Sequence, residues 1–92
     1  MFTKAELNHL DCDYFFVMLR SACHIQLKSK NTGHIWDLES NTVFYGKRSI
    51  IVHHKHKDTD CFHVQRGIHP KTIAEAQDMI KSHDEWHLNG RA

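Results

Sequence analysis

The sequence lacks any long apolar run. The longest, Tyr14 to Leu19, has six residues, too few for a membrane span or for the apolar region of a signal peptide. Glycine and proline are also scarce, at four and one residues, which argues against collagen-like and low-complexity chains. With 92 residues in total, the chain is expected to form a single domain over residues 1–92, in the cytoplasm and without a membrane partner.

Paired cysteine motifs and recognisable catalytic motifs are missing as well. Cys12, Cys23 and Cys61 show no CxxC spacing and cannot all pair within one chain, so we expect reduced thiols. The sequence contains no P-loop, GxGxxG, GxSxG or HExxH motif, which excludes the recognisable nucleotide-binding, hydrolase and zinc-protease classes. These absences favour a non-enzymatic protein.

Histidine and basic charge are present, and they are concentrated in the middle of the chain. Residues 47–71 hold six basic residues, two acidic residues and five of the ten histidines, although the whole chain has a net charge of only +1. Because histidine gains charge as the pH falls through about 6.5, this segment is predicted to be a pH-sensitive cationic surface. The candidate contact residues are Lys47, Arg48, His53, Lys55 and Lys57.

A cationic segment of this kind predicts a small binding protein with an anionic partner. The partner would be nucleic acid or the acidic surface of a protein that handles nucleic acid. An inhibitor encoded by a phage or another mobile element would have this size and this lack of catalytic motifs.

The middle of the chain alternates with the period of a β-strand. Cys23, Ile25 and Leu27 fall on one side of the segment after Ala22, and a turn at 31–33 predicts a hairpin over residues 22–39. A third strand is predicted at Arg48–Lys57, and a fourth at Cys61–Gln65. Together they would form an antiparallel meander of three or four strands.

Helices are predicted on both sides of this meander. The capping-box pattern of Thr3–Glu6 and the apolar spacing of Tyr14–Leu19 predict N-terminal helices. A second capping-box pattern, Thr72–Glu75, opens a C-terminal helix that is predicted to reach His83, with an inner stripe that includes Ile80 and His83. The expected fold is therefore α+β, with the C-terminal helix packed on one face of the sheet.

Four potential metal ligands fall on the last predicted hairpin. If the turn at 57–60 closes with a two- or four-residue loop, His54 lies opposite His63 and His56 opposite Cys61, so all four share one face. Their Cβ atoms would be about 5–7 Å apart, near the spacing at which imidazole and thiolate groups bind a tetrahedral ion. Zinc is the ion this set predicts, and nickel or copper is also compatible. A three- or five-residue loop would break the set, and the alternative is a solvated polar face without a cofactor.

The predicted layout resembles that of double-stranded-RNA-binding domains and, within that fold, of the HicA-type toxins that cleave messenger RNA. The matching segments, over roughly residues 24–83, are Thr32-Gly33-His34 before a strand, the basic Gly46-Lys47-Arg48 before Ile51-Val52-His53-His54, and Thr72 at the start of the last helix. The resemblance implies an alternative function, a small ribonuclease. His34 would be its general acid and base, and Lys30, Lys47 and Arg48 would contact phosphate.

Overall fold

The chain folds into a five-stranded antiparallel sheet with a long helix on one face. The computed structural model describes residues 1–42, 48–65 and 69–91. In chain order the elements are α1 (Lys4–Leu7), β1 (Phe15–Arg20), β2 (His24–Ser29), β3 (Ile35–Thr42), β4 (Arg48–Lys55), β5 (His63–Val64) and α2 (Ile73–Trp86), which a π-helical turn follows at His87–Arg91. The strands are neighbours in sequence order. This is the expected α+β architecture.

Two features of the sheet and helices differ from the expectation. The sheet has five strands rather than three or four, and the N-terminal helix is the single turn at Lys4–Leu7. The layout of a double-stranded-RNA-binding domain is therefore not confirmed. Within the described ranges, neither helix has the length and apolar character that crossing a membrane requires.

The helix predicted over Tyr14–Leu19 is wrong, because this segment is the edge strand β1. The Asp11 carboxylate accepts hydrogen bonds from the backbone N–H groups of Asp13 and Tyr14 at 3.1 Å, so the local capping signal closes a turn and no helix follows. In β1, Phe15 is buried and Phe16 is 56% exposed. The apolar residues of this segment fit both the helical and the strand period. Pairing with β2 provides hydrogen-bond partners for the backbone and so favours the strand.

The core lies between one face of the sheet and α2, and we call this the inner face. It contains the alternate strand residues Phe15, Ile25, Leu27, Trp36, Leu38, Ile50 and Val52, and the helix residues Ile73, Ala76 and Ile80. Cys23 was expected to share this face through its alternation with Ile25, but it lies in the turn before β2 and is exposed. All three cysteines are free thiols on the surface.

Polar contacts attach α2 to the N-terminal segment. The Thr72 side chain caps the helix by accepting from the Glu75 N–H at 3.1 Å. Gln77 is buried, and its side chain accepts from the Asp11 N–H at 2.7 Å and donates to the His9 carbonyl at 3.0 Å. These two hydrogen bonds fix the segment before β1 against the middle of the helix. The helix ends at Trp86, about one turn beyond the predicted end at His83.

Leu27→Ala tests the core. Leu27 is fully buried on the inner face, so we expect the free energy of unfolding to fall by about 2–5 kcal/mol. The matched control is Leu88→Ala, because Leu88 is 56% exposed and should lose less than about 0.5 kcal/mol. Urea denaturation followed by circular dichroism measures both. Equal losses in the two variants would contradict the assigned inner face.

Candidate functional site

At one end of the domain the inner layer changes from apolar residues to histidine. The inward positions of β4 run from Val52 to His54 and continue beyond the strand to His56. The buried stripe of α2 continues at helical spacing to His83 and His87. We call the set that meets here the histidine cluster, which consists of His34, His54, His56, His83 and His87.

His34 lies at the centre of the histidine cluster. Its ring centroid is 4.2 Å from that of His56, with the rings nearly parallel, and 4.4 Å from that of His87. The centroids of His54 and His83 are 5.0 Å and 6.2 Å away. Ligand atoms of His54, His56 and His83 lie within 4.8 Å of one on His34.

A chain of hydrogen bonds runs through the buried part of the cluster. The Nε2 atom of His54 lies 3.1 Å from Nδ1 of His34, and the Nδ1 atom of His54 lies 2.9 Å from Nε2 of Gln65. Two neutral imidazoles share one proton in such a contact, so one ring donates and the other accepts. The orientation of the Gln65 amide decides which nitrogen of His54 carries its proton.

Burial keeps the central histidines neutral. His34 and His54 are 4% and 1% exposed, and His54 stacks on Trp36 with ring centroids 3.9 Å apart. Burial, followed by the charges of neighbouring histidines, lowers the pKa of His34 to about 4 and that of His54 to about 3. Burial also lowers the pKa of His83. Neutral imidazoles have a free lone pair at neutral pH, which is the form that binds metal ions.

Two nitrogen atoms of the cluster are buried without a hydrogen-bond partner. Among the described residues, these are the Nδ1 atoms of His83 and His87. Buried polar atoms are nearly always paired, and an unpaired one in a polar cluster is a feature of sites that receive an ion or a ligand. Both atoms belong to rings that face His34.

Potential ligand atoms converge in two groups that share His34. Within the described ranges, the first consists of His34, His54 and His56, and the second of His34, His83 and Asp84. In each group, one ligand atom per residue lies within 4.8 Å of the others. His56 is the exposed member of the first group, so this group is open to solvent on one side.

Asp84 connects the histidine cluster to two neighbouring segments of the chain. It is fully buried, and its two carboxylate oxygens accept from the Tyr14 hydroxyl at 2.7 Å and the Thr32 hydroxyl at 3.1 Å. Burial and the hydrogen bond to Asp84 raise the pKa of Tyr14 to about 12. Thr32 belongs to the turn before β3, in which Gly33 has a φ of +75°. Asp84 thereby connects the end of α2 to the turn that carries His34.

The structure separates the four metal ligands predicted from the sequence, which are His54, His56, Cys61 and His63, into two pairs. The predicted register is present, because His54 pairs with His63, and their ring centroids are 5.5 Å apart. His63 and Cys61 are both exposed. Neither belongs to the two groups found among the described residues. His54 and His56 are instead grouped with His34, which was predicted only as the general acid and base of the alternative ribonuclease.

The predicted basic contact residues do not form one patch in the described part of the chain. Lys47 and the side chain of Arg48 lie outside the described residues. His53 points away from the inner face, and its Nδ1 atom is 3.6 Å from the Asp37 carboxylate. Lys55 lies over the Phe62 ring at 4.4 Å, and Lys57 is exposed.

His83, His87 and Asp84 are site residues that were not predicted from the sequence. A signal for His83 was present, because the inner stripe of the predicted helix ended on it. What the pattern could not provide was the position of the helix end relative to His34, which depends on how α2 crosses the sheet.

The low pKa values predict that the metal-free protein is less stable in acid. The unfolded chain binds protons at its histidines below about pH 6.5, whereas folded His34 and His54 bind them only near pH 4 and pH 3. Their contribution to stability is therefore present above pH 6.5 and lost as the pH falls towards 4, by roughly 2 kcal/mol per residue at pH 5. Urea denaturation between pH 7.5 and 5 with a chelator present measures this. His54→Gln should reduce the pH dependence and exposed His9→Gln should not; identical pH profiles would contradict the burial of a neutral His54.

Comparisons of the chain with protein-family models, with curated proteins and with solved structures each gave no match. The geometry of the site is therefore what the functional argument rests on.

Proposed function

We propose that the protein is a metal-binding domain whose ion is held by His34, His54 and His56. The observation that carries this proposal is the convergence of three imidazoles with ligand atoms within 4.8 Å of one another. Three histidines with one position open to solvent are a known arrangement for zinc. The exposed His56 gives an ion a route into the group.

The distance between the His34 and His54 nitrogens fits a tetrahedral ion. Zinc binds histidine nitrogen at about 2.0–2.1 Å, which places two nitrogens of one tetrahedral site about 3.3 Å apart. The Nε2 atom of His54 and the Nδ1 atom of His34 are 3.1 Å apart. The separation of the two nitrogens therefore suits an ion in place of the shared proton, once the two rings turn their lone pairs towards it.

The donor set favours particular ions. Neutral imidazole suits zinc, copper, nickel and cobalt, whereas magnesium and calcium prefer oxygen ligands. The low pKa values of His34 and His54 mean that protons do not compete for these nitrogens near pH 7. His83 and His87 lie beside this set with buried, unpaired Nδ1 atoms, but in the described part of the chain neither converges with His54 and His56, so the position open to solvent is where a fourth ligand would enter.

Gln65 and Trp36 would support the ion from outside its ligand shell. Metal-binding histidines usually donate their second ring N–H to a carbonyl or carboxylate group, which fixes the ring and the tautomer. Gln65 is in reach of Nδ1 of His54 at 2.9 Å. With its amide turned so that the oxygen accepts from Nδ1, the Nε2 lone pair of His54 is free for the ion. The stack on Trp36 limits rotation of the same ring.

The other functions considered from the sequence stay predictions. The ribonuclease alternative needs His34 as a general acid and base, but a side chain that is 4% exposed is better suited to binding an ion. The set of His54, His56, Cys61 and His63 is a competing ligand set for zinc, and mutants distinguish it from the proposed one. Binding of an anionic partner is independent of both.

Zinc binding by the proposed residues can be measured directly. We expect chelator-treated protein, reloaded at pH 7.5, to hold about one zinc per chain by elemental analysis and to melt at a higher temperature, because an ion bound only by the folded state stabilises it. Magnesium and calcium should have no effect. His56→Ala should weaken zinc binding by more than about 100-fold with the fold intact, since His56 is exposed.

The controls separate the two ligand sets. His9→Ala, at an exposed histidine outside the cluster, should bind zinc as the unmodified protein does. Cys61→Ser and His63→Ala should also bind normally, whereas His34→Ala should not. Loss of zinc in Cys61→Ser with retention in His34→Ala would assign the ion to the competing set, and absence of zinc from the unmodified protein would refute the proposal.

The supporting role of Gln65 gives a second prediction. Gln65→Met removes the acceptor for the Nδ1 proton of His54 and should weaken zinc binding by about 10–100-fold, whereas Gln65→Glu supplies a stronger acceptor and should retain or improve it. Gln26→Met, at a half-buried glutamine in β2, is the control. Isothermal titration with zinc measures all four proteins. Equal affinities for Gln65→Met and the unmodified protein would show that His54 needs no such partner.

A further inference from the structure

The sheet face opposite α2 carries a row of aromatic and lysine side chains. We call this the outer face, and its residues alternate along each strand with those of the core. Phe16 pairs with Lys28, Lys28 with Ile35, and Ile35 with Lys55. The Lys55 ammonium lies 4.4 Å from the centroid of the Phe62 ring, next to β5. The row, Phe16, Lys28, Ile35, Lys55 and Phe62, thus crosses the sheet from one edge to the other.

The central residue of the row is buried, and the residues on either side of it are cationic. Ile35 is 1% exposed although α2 packs on the opposite face, and its cross-strand neighbours are Lys28 and Lys55. Lysine stems cover apolar surface while their ammonium groups stay in water. The two ammonium groups therefore lie on either side of a buried isoleucine.

Both ends of the row combine an aromatic ring with a lysine. Phe16 is 56% exposed, and the Lys30 ammonium is 5.0 Å from its ring centroid. At the other end, Lys55 lies over the half-buried ring of Phe62. Lys30 and Lys55 each donate to one carbonyl, of Cys12 and Asp58, and each ammonium has further N–H groups for an external acceptor.

The acidic residue nearest to the centre of the row is held by histidines. Asp37 is the next outward-facing position of β3 after Ile35, and it is 7% exposed. Its Oδ2 atom lies 3.2 Å from Nδ1 of His24 and 3.6 Å from Nδ1 of His53. The carboxylate is thereby covered, and the three lysines Lys28, Lys30 and Lys55 outnumber it, so the row as a whole carries positive charge.

We propose that this row binds single-stranded nucleic acid, with a base stacked on Phe16 and phosphates bound by Lys28, Lys30 and Lys55. Proteins bind single-stranded nucleic acid through exposed aromatic rings beside lysines on an open surface. Every unpaired base has a face that can stack on a ring, and each nucleotide brings a phosphate for a lysine. Neighbouring strands are about 4.8 Å apart, so the row from Phe16 to Phe62 is about 19 Å long and accommodates several nucleotides. A duplex hides its base faces and has no use for Phe16, which is why the single strand is the favoured partner.

The experiment uses the full chain and fluorescein-labelled oligouridylate of about 12 nucleotides, measured by fluorescence anisotropy with chelator present so that metal binding has no part in the result. We expect binding at low salt, with a slope of log K against log salt of about −2 for three phosphate contacts. The triple variant Lys28→Ala, Lys30→Ala, Lys55→Ala should bind at least about 10-fold more weakly and with a flatter salt dependence. The control, Lys4→Ala with Lys71→Ala, removes exposed lysines outside the row and should bind normally.

Stacking is tested separately. Phe16→Ala should weaken binding by about 5- to 100-fold, whereas Trp86→Ala, which removes an aromatic side chain that is 44% exposed on α2, should not. Circular dichroism shows whether each variant is folded. Binding that is unaffected by the triple variant, or equal for duplex and single strand with no effect of Phe16→Ala, would overturn the proposal. Binding of labelled polyglutamate in place of oligouridylate would also overturn it, in favour of an acidic protein partner.

Discussion

The buried carboxylate of Asp84 is the contact on which the arrangement of the histidine cluster depends. It accepts hydrogen bonds from Tyr14, just before β1, and from Thr32, in the turn before β3, so three distant parts of the chain meet at one side chain. An uncompensated charge at such a position would be costly, and the two hydroxyl donors offset that cost. Their removal would leave the Asp84 carboxylate buried and unpaired at the end of α2, next to His83 and His87.

Without a bound metal ion, the histidine cluster is less favourable for the stability of the fold than apolar side chains would be. Five imidazoles lie within one small volume, and the protonated form of any of the central ones is opposed by burial and by its neighbours. A fold that needed only a stable core would place apolar side chains here, as it does further along the same strands and the same helix stripe. Maintaining neutral imidazoles at this position is consistent with a role in binding, because functional sites are where proteins retain unfavourable groups.

The sequence predicted the middle strands and the C-terminal helix well because one face of each is strictly apolar. β2 alternates through Ile25 and Leu27, and the helix stripe through Ile73 and Ile80, so period alone identifies them. The segment at Tyr14–Leu19 has apolar residues at every position and satisfies both periods. Only the availability of β2 as a pairing partner makes it a strand, and that is a tertiary property.

Part of the candidate site could also be predicted from the sequence, because it depends on strand alternation and turn symmetry. The register that pairs His54 with His63 follows from turn symmetry, and it put His54 and His56 on one face correctly. The position of His34 beside them results from the β3–β4 pairing, in which Trp36 lies opposite His54. The contribution of α2 depends on the path of the helix across the sheet, and no local pattern encodes that path.

The alternation along β4 has a consequence for how this chain tolerates a deletion. The run of His53, His54 and Lys55 divides between two faces, with His54 beside Trp36 and Lys55 in the row on the opposite surface. A single residue deleted near the start of β4 would move every later side chain to the other face. Lys55 would then have to enter the space beside Trp36, opposite which His54 now lies, while His54 moved to the outer face. Burial of an unpaired ammonium opposes this shift strongly. The histidine cluster and the row on the outer face therefore both depend on the same register of β4, and a shift that altered one would disrupt the other.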